Sequence, residues 1–392
     1  MIATVFAARA GAGGLGLQAA TAAVGLSLAG REVVALGPGR AAGWPLTLAA
    51  PSLRWEDTPA RAPSWFARQI VRRLRPGRLI WAHDRYIGAW AGARVADLRP
   101  NLVYAFTQVG LESLEWAKRH GVPTVLDNPN GHIRGFAEVY RAEWAKWVGG
   151  AYRGHPTEGM VRRVEREYEL ADRIRVSSDW AKRSMVARGV PADKVFVCPQ
   201  PIDTDRFRPP AARPAPAGAL RVVYVGSLDV RKGFAYLLRA VRQVGPGRVQ
   251  MELVGGTGDR GSRRLLDRER SGLNVTLRPG DPVPAYHRAE LFVLPSLEDG
   301  FGFVAAEALA CGLPVVVTDQ CGAAEWVRPG ETGWVTPAGS TDALATALNE
   351  ALARRDRLAE MGREARRAID ARDPMAAFRQ LAEKVSSAPC GS

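Results

Sequence analysis

Pro295-Ser296-Leu297-Glu298-Asp299-Gly300-Phe301-Gly302-Phe303-Val304-Ala305-Ala306-Glu307-Ala308-Leu309-Ala310 is the stretch on which the fold turns. The apolar run at 291–294 reads as a buried strand that ends at Pro295. A glycine-rich turn follows, and the spacing predicts a helix from about Phe301. A strand handed through a tight turn into a helix is the repeating piece of a parallel α/β sheet.

The same alternation runs outward to both ends of the chain. Strands are predicted at 2–8, 32–36, 102–106, 124–127, 174–177 and 195–198 in the first half. In the second half they fall at 220–226, 249–254, 274–277, 291–294, 315–318 and 334–336, with helices at 354–371 and 375–385. Between the halves, Pro209-Pro210-Ala211-Ala212-Arg213-Pro214-Ala215-Pro216-Ala217-Gly218 can neither continue a helix nor donate to a central ladder, so it reads as a linker. The expected organisation is a first doubly wound domain over 1–208, the linker over 209–218 and a second doubly wound domain over 219–372. A helix from 373 is expected to pack back toward the first domain ahead of a flexible tail. The fold class is α/β, with two doubly wound domains facing each other and an active site in the cleft between them.

A chain of 392 residues is too long for one ordinary core and comfortable for two such domains. With 46% hydrophobic and 24% charged residues it has the balance of a folded protein, and no run approaches the roughly 20 apolar residues of a membrane-spanning helix. The strand-like start at Ile2, without a basic region, apolar core and cleavage site, predicts no secretory signal. Cys198, Cys311, Cys321 and Cys390 are widely spread and lack metal-ligand spacing, which argues against a disulfide framework or structural metal and for a reducing cytoplasm. The net charge of +14, mostly arginine, is compatible with phosphorylated small molecules, an anionic membrane surface or nucleic acid. The basic residues are scattered over both halves with no recognisable nucleic-acid module, so nucleic acid is excluded as the partner.

Near the start, Gly11-Ala12-Gly13-Gly14-Leu15-Gly16 matches the dinucleotide fingerprint G-x-G-x-x-G. That fingerprint also needs an acid at the end of the second strand, and here the strand ends Val33-Val34-Ala35-Leu36-Gly37-Pro38-Gly39. NAD binding is therefore not expected. Gly13 and Gly14 are instead candidates for a backbone turn that approaches an anion or a sugar, beside a purely structural turn.

Two segments carry chemistry. In the first, Asp299 precedes the glycine turn and Glu307 lies about two helical turns beyond, a separation on the order of 10 Å. Two carboxylates so spaced suit a sugar on one side and a ribose on the other, with a diphosphate at the helix N-terminus between them. The alternative is a capping aspartate and a solvated surface acid. The second segment is Val225-Gly226-Ser227-Leu228-Asp229-Val230-Arg231-Lys232-Gly233, at the end of the first strand of the second domain. Arg231 and Lys232 would neutralise a diphosphate as it departs, where fixed cations have most catalytic value. P-loop spacing is absent.

Together these segments resemble glycosyltransferase family 4 (glycosyl transferases group 1), whose fold is GT-B with two Rossmann-like domains. The resemblance is close over 220–352 and looser through Ala171-Asp172-Arg173-Ile174-Arg175-Val176-Ser177-Ser178 and Pro201-Ile202-Asp203-Thr204-Asp205-Arg206-Phe207. It implies a retaining transferase that moves a hexose-type sugar from a nucleotide-diphosphate sugar (UDP- or GDP-linked) to a glycan, lipid-linked or small-molecule acceptor, with no resident cofactor and no metal. By resemblance, Asp299 touches sugar hydroxyls and Glu307 the ribose. Lys232 meets the diphosphate, as do backbone amides across Gly300, Phe301, Gly302, Phe303 and Val304. Three positions depart from the family's pattern. Asp299 replaces a glutamate, with Glu298 beside it as a substitute; Ser227 stands where many relatives have arginine, with Arg231 as a neighbouring replacement; and Ala323-Ala324 precedes Glu325 where a glycine pair is common. Asp203-Thr204-Asp205 is the nearest approach to a metal-binding Asp-x-Asp, and it sits in a segment the family carries for structure.

On the acceptor side, His132 follows Asp127-Asn128-Pro129-Asn130-Gly131 and resembles the histidine that many members place near the sugar. A plain hydrogen-bonding histidine is the alternative. The run 64–75 reads as a basic amphipathic helix with Arg68, Arg72 and Arg75 on one face, suited either to an anionic membrane surface or to a core helix with a solvated face. The expected location is the cytoplasm, with the inner face of the membrane as the place where such a helix would act. Two other functions fit the same fold: a nucleotide-sugar epimerase or hydrolase, and a degenerate binding protein that keeps the donor pocket.

Overall fold

The computed structural model describes residues 1–11, 13–41, 43, 45–59 and 76–386. The 64–75 segment and the C-terminal tail beyond 386 therefore lie outside the described residues. The chain divides into two compact units. The first comprises Met1–Glu138, Tyr152–Pro201 and the chain from Pro374; the second comprises Val139–Ala151 and Ile202–Asp373.

The first unit is built on seven parallel strands, β1 (Ile2–Val5), β2 (Val33–Gly37), β3 (Leu53–Asp57), β4 (Leu102–Phe106), β5 (Thr124–Asp127), β6 (Arg173–Val176) and β7 (Val195–Val197). Their order is β3-β2-β1-β4-β5-β6-β7. The second unit has six, β8 (Leu220–Val225), β9 (Val249–Val254), β10 (Val275–Arg278), β11 (Leu291–Leu294), β12 (Val315–Thr318) and β13 (Gly333–Thr336), in the order β10-β9-β8-β11-β12-β13. All of its pairings are parallel too. Central strands such as Leu291-Phe292-Val293-Leu294 are buried on both faces, which is why they read as unbroken apolar runs. Both sheets reverse direction beside their first strand, so the loops at the C-terminal ends of β1 and β4, and of β8 and β11, flank a topological switch point where α/β proteins bind ligands.

Several expectations shift. The edge strand β3 was not expected, because Leu53-Arg54-Trp55-Glu56-Asp57 is half-exposed and lacks an apolar run. The helix after the glycine turn is Phe303–Ala310, two residues later than expected, because Gly302 adopts φ +79° in the left-handed region. A Cβ there would come 2.6 Å from Cys321 Sγ, so only glycine fits. The predicted helix at 354–371 is broken into a 3₁₀ turn, Arg355–Arg357, and the helix Leu358–Asp370. The second unit takes up residues from Ile202, so the proline-rich stretch lies within it. Arg213 fixes that stretch, donating to the carbonyls of Tyr286 at 2.8 Å, Ala289 at 3.1 Å and Gly312 at 3.2 Å. The last helix, Pro374–Ser386, belongs to the first unit, where Phe378 lies against Gly25 so tightly that a Cβ on that glycine would come within 2.7 Å of the ring. Among the described residues no helix is long and apolar enough to cross a membrane.

Candidate active site

In the second unit, β8 ends in Gly226-Ser227-Leu228-Asp229 and turns into a short 3₁₀ segment, Val230–Lys232. Asp229 caps it by accepting from the Lys232 N–H at 3.2 Å, and its other oxygen accepts from Ser227 Oγ at 2.6 Å. Gly233 then takes φ +69°, and a Cβ on it would meet the Pro295 carbonyl at 2.0 Å, so the β8 loop lies directly on the loop after β11. The two loops are joined by the Leu297 N–H, which donates to the Arg231 carbonyl at 2.8 Å.

Side chains repeat that register. Arg231 Nη1 donates to Glu298 Oε2 at 3.0 Å and to its carbonyl at 2.6 Å. One residue further along each loop, the Lys232 ammonium pairs with the Asp299 carboxylate. Asp299 is also fixed through its backbone, donating to the Gln320 carbonyl at 3.0 Å and accepting from Gly322 N–H at 2.9 Å. Its Oδ1 accepts from the Gly302 N–H at 3.1 Å. Burial opposes ionisation of Asp299, but Lys232 and Arg231 beside it hold its pKa below the usual carboxylate range. The site thus carries a settled anion and a cation at the mouth of a glycine turn.

Glu307 sits four residues into the helix Phe303–Ala310 and is not a solvated surface acid. The Tyr286 hydroxyl lies 3.0 Å from Glu307 Oε2 and 3.0 Å from the Val304 carbonyl, so its one proton is shared between them. Burial pushes the Glu307 carboxyl up to about 7, with the Tyr286 hydrogen bond and Arg206 pulling the other way. Near neutral pH such a group can accept from hydroxyls, as a ribose would require.

The structure therefore sorts the predicted donor residues. Lys232, Asp299, the Gly300-Phe301-Gly302 turn and the first amides of Phe303 and Val304 gather at one end of the sheet. Glu307 lies on the helix that follows. Arg231 and Glu298 pair with each other instead, both nearly buried. Ser227 is exposed and bound to Asp229. Two further residues shape the site without a sequence signal for it: Asp229, whose loop position alone gives it no role, and Tyr286, which lies on a separate short helix, Val283–Arg288, with no motif to mark it.

In the first unit His132 is buried, and its ring lies tilted on Tyr168 with centroids 5.0 Å apart. The Tyr168 hydroxyl donates to Asn128 Oδ1 at 3.0 Å and accepts from the Ile133 N–H at 3.2 Å, while Asn128 Nδ2 donates to the carbonyls of Asn130 and Gly131. The loop around His132 is thus tied from within. Burial pushes the imidazole down to about 4, so it is neutral at physiological pH. Its Nδ1 accepts from the Arg134 N–H at 3.2 Å, which leaves the proton on Nε2 and makes the free edge a hydrogen-bond donor. Below the loop, Asp127 accepts from Gln18 at 2.5 Å, Tyr104 at 2.5 Å and Arg175 at 2.9 Å in a fully buried network. Gly13 opens the helix Gly13–Leu28 at φ +64° with nothing near a Cβ, and Gly14 beside it is exposed. The loop is closed by Gly11 N–H donating to the Gly16 carbonyl at 2.7 Å, and Gly16 lies on the Arg9 carbonyl, 2.1 Å from where a Cβ would stand.

Residues 219–354 match the family model described as glycosyl transferases group 1. The chain is 31% identical over 232 residues to a D-inositol 3-phosphate glycosyltransferase of Nocardia farcinica, covering 53% of this chain and 51% of that protein. It therefore spans about half the length of that relative. It is 32% identical over 320 residues to a GDP-mannose-dependent alpha-(1-6)-phosphatidylinositol monomannoside mannosyltransferase of Mycobacterium tuberculosis, covering 76% of this chain and 74% of the relative. Among solved structures, sucrose-phosphate synthase from Thermosynechococcus elongatus superposes with a TM-score of 0.73 at 21% identity over 98% of both chains. HepE of Anabaena in complex with UDP-glucose gives 0.70 at 19% identity, over 98% of this chain and 99% of that one. At such identity the structures speak to the fold alone, which is GT-B. The long match at 32% identity, together with the family model lying over the strands and loops that carry Lys232, Asp299 and Glu307, places this chain in the glycosyl transferases group 1 family.

Proposed function

We propose that the protein is a retaining glycosyltransferase that moves a hexose-type sugar from a UDP- or GDP-sugar to a glycan, lipid-linked or small-molecule hydroxyl without a metal ion. The observation that carries this reading is the Lys232–Asp299 pair at the switch point of the second sheet, with Glu307 on the helix that leaves the same loop. Lys232 exchanges part of its contact with Asp299 for the donor diphosphate and stabilises the charge that builds as the C1–O bond breaks. Asp299 accepts from the sugar hydroxyls, Glu307 from the ribose, and the amides at Phe303 and Val304 meet phosphate oxygens. His132, neutral and with its proton on Nε2, donates to the sugar. The acceptor oxygen bonds to C1 on the face the phosphate leaves, and its proton passes to that phosphate. The reaction belongs in the cytoplasm, where nucleotide sugars are made.

The test is calorimetric titration of the full chain with UDP-glucose and GDP-mannose, beside Glu307→Ala and Lys232→Ala. Binding of one nucleotide class that falls at least tenfold in each variant supports the reading. Equal binding by all three proteins removes Lys232 and Glu307 from the donor site. Proton NMR of the product's anomeric centre decides retention, and an unchanged rate in excess chelator decides metal independence.

A further inference from the structure

Arg231 and Glu298 sit in the two loops where a donor would lie, yet each is already engaged. Arg231 Nη1 bonds both the carboxylate and the carbonyl of Glu298, and its own carbonyl accepts from Leu297. Behind the pair stands Tyr140, from the part of the helix Ile133–Trp147 that belongs to the second unit. Its ring centroid is 5.8 Å from the Arg231 guanidinium carbon, and its hydroxyl hydrogen-bonds both Arg231 and Asp229. Asp229 in turn receives the Lys232 N–H. Opposite charges therefore face each other across two adjoining loops as a two-rung ladder. The inner rung, Arg231–Glu298, is nearly closed to solvent, and the outer rung, Lys232–Asp299, stands one residue further on. An inner pair that is desolvated and joined through both the carboxylate and the carbonyl of Glu298 is held to a narrow geometry, and it fixes the backbone from which the outer side chains project.

We propose that Arg231, Glu298 and Tyr140 form a positioning unit for Lys232 and Asp299, and that neither Arg231 nor Glu298 touches the donor. This rests on the transferase reading for its consequence but not for its geometry. Removing one member of a buried pair leaves the other charge uncompensated, whereas removing both does not. Two residues that act only through each other should therefore show losses that do not multiply.

Two measurements test this on the full chain. The first needs no donor: acetylation of Lys232 by an amine-reactive ester, followed by mass spectrometry and referenced to the exposed Lys118. Tyr140→Phe removes one hydroxyl, and Glu298→Gln removes one charge. Each should raise the Lys232 rate about threefold or more, the size expected when one or two hydrogen bonds' worth of order is lost. An unchanged rate in both variants overturns the proposal. The second is the dissociation constant for whichever of UDP-glucose and GDP-mannose binds, in Arg231→Met, Glu298→Gln and the double variant. A double variant no weaker than the worse single, with each single about tenfold weaker than wild type, supports positioning. Losses that multiply mark two separate ligand contacts and overturn it. If the wild type binds neither nucleotide sugar, the transferase reading fails, and the acetylation rates alone decide the positioning unit.

Discussion

The loop after β1 closes on its own backbone. Gly11 N–H reaches the Gly16 carbonyl, Gly16 lies on the Arg9 carbonyl, and Gly13 and Gly14 stand open at the helix N-terminus. The loop after β8, in the same position of the second sheet, closes on side chains: Asp229 on Ser227 and Lys232, Arg231 on Glu298, Lys232 on Asp299. One winding thus supplies two switch-point loops of different kinds, one closed by backbone and one charged. The fold sets where a ligand goes, and the side chains set which ligand. The polar investment of the first unit lies deeper, in the Asp127–Arg175 network beneath the His132 loop, where it can only hold shape.

That division of labour predicts the largest effect in the first unit. Arg175→Leu leaves Asp127 buried without its cation and should cost about 3–5 kcal/mol in urea unfolding. A loss under about 1 kcal/mol would mean that Tyr104 and Gln18 alone satisfy the carboxylate, and the contrast between a structural and a functional charge would fail.

Lys232→Ala should weigh the other way, lowering transfer on the order of 10²–10³-fold with a smaller stability loss than Arg175→Leu, because Asp299 keeps the Gly302 N–H and the neighbouring Arg231 charge. A comparable fall in stability would make the outer pair structural as well.

Glu307 sharpens the contrast through pH. Its pKa is raised from 4.5 to about 7 by burial, so the folded state holds the proton more tightly than the unfolded chain. Its contribution to stability is therefore full below about 4.5 and declines as pH rises towards about 7. Donor affinity should run the opposite way, strengthening through the same window as the carboxylate becomes an acceptor. Glu307→Gln should flatten both slopes. Tyr286→Phe should raise the apparent midpoint of both and weaken the donor by about 1 kcal/mol.

The smallest effect belongs to Gly13→Ala. With φ +64° and open space around the missing Cβ, it should cost about 1 kcal/mol in stability and leave donor binding unchanged. A change in donor affinity would show that the two loops are not independent.

Much of this was legible in the chain. Twelve of the strands stand where apolar runs place them, because strands buried on both faces carry a continuous signal that no polar face interrupts. The edge strand β3 carries none, being half-exposed. The glycine turn and its acids were legible as a motif, but the motif could not divide its members. Glu298 and Asp299 are neighbours in sequence with the same charge, and so are Arg231 and Lys232. Neighbouring residues in a tight loop point different ways, and which one faces the interior depends on what the other loop presents.

By itself the sequence determined the alternation of strand and helix, the family, and the short list of charged residues at the ends of β8 and β11, since those follow from local periodicity and spacing. Tertiary structure decided the rest. It gave Arg231 to Glu298 and Lys232 to Asp299, set Tyr286 on Glu307 from a helix with no motif, and buried His132 so that it stays neutral. The reason is physical: a charge's role depends on its desolvation and its nearest partner, and both are set by segments far away in the chain.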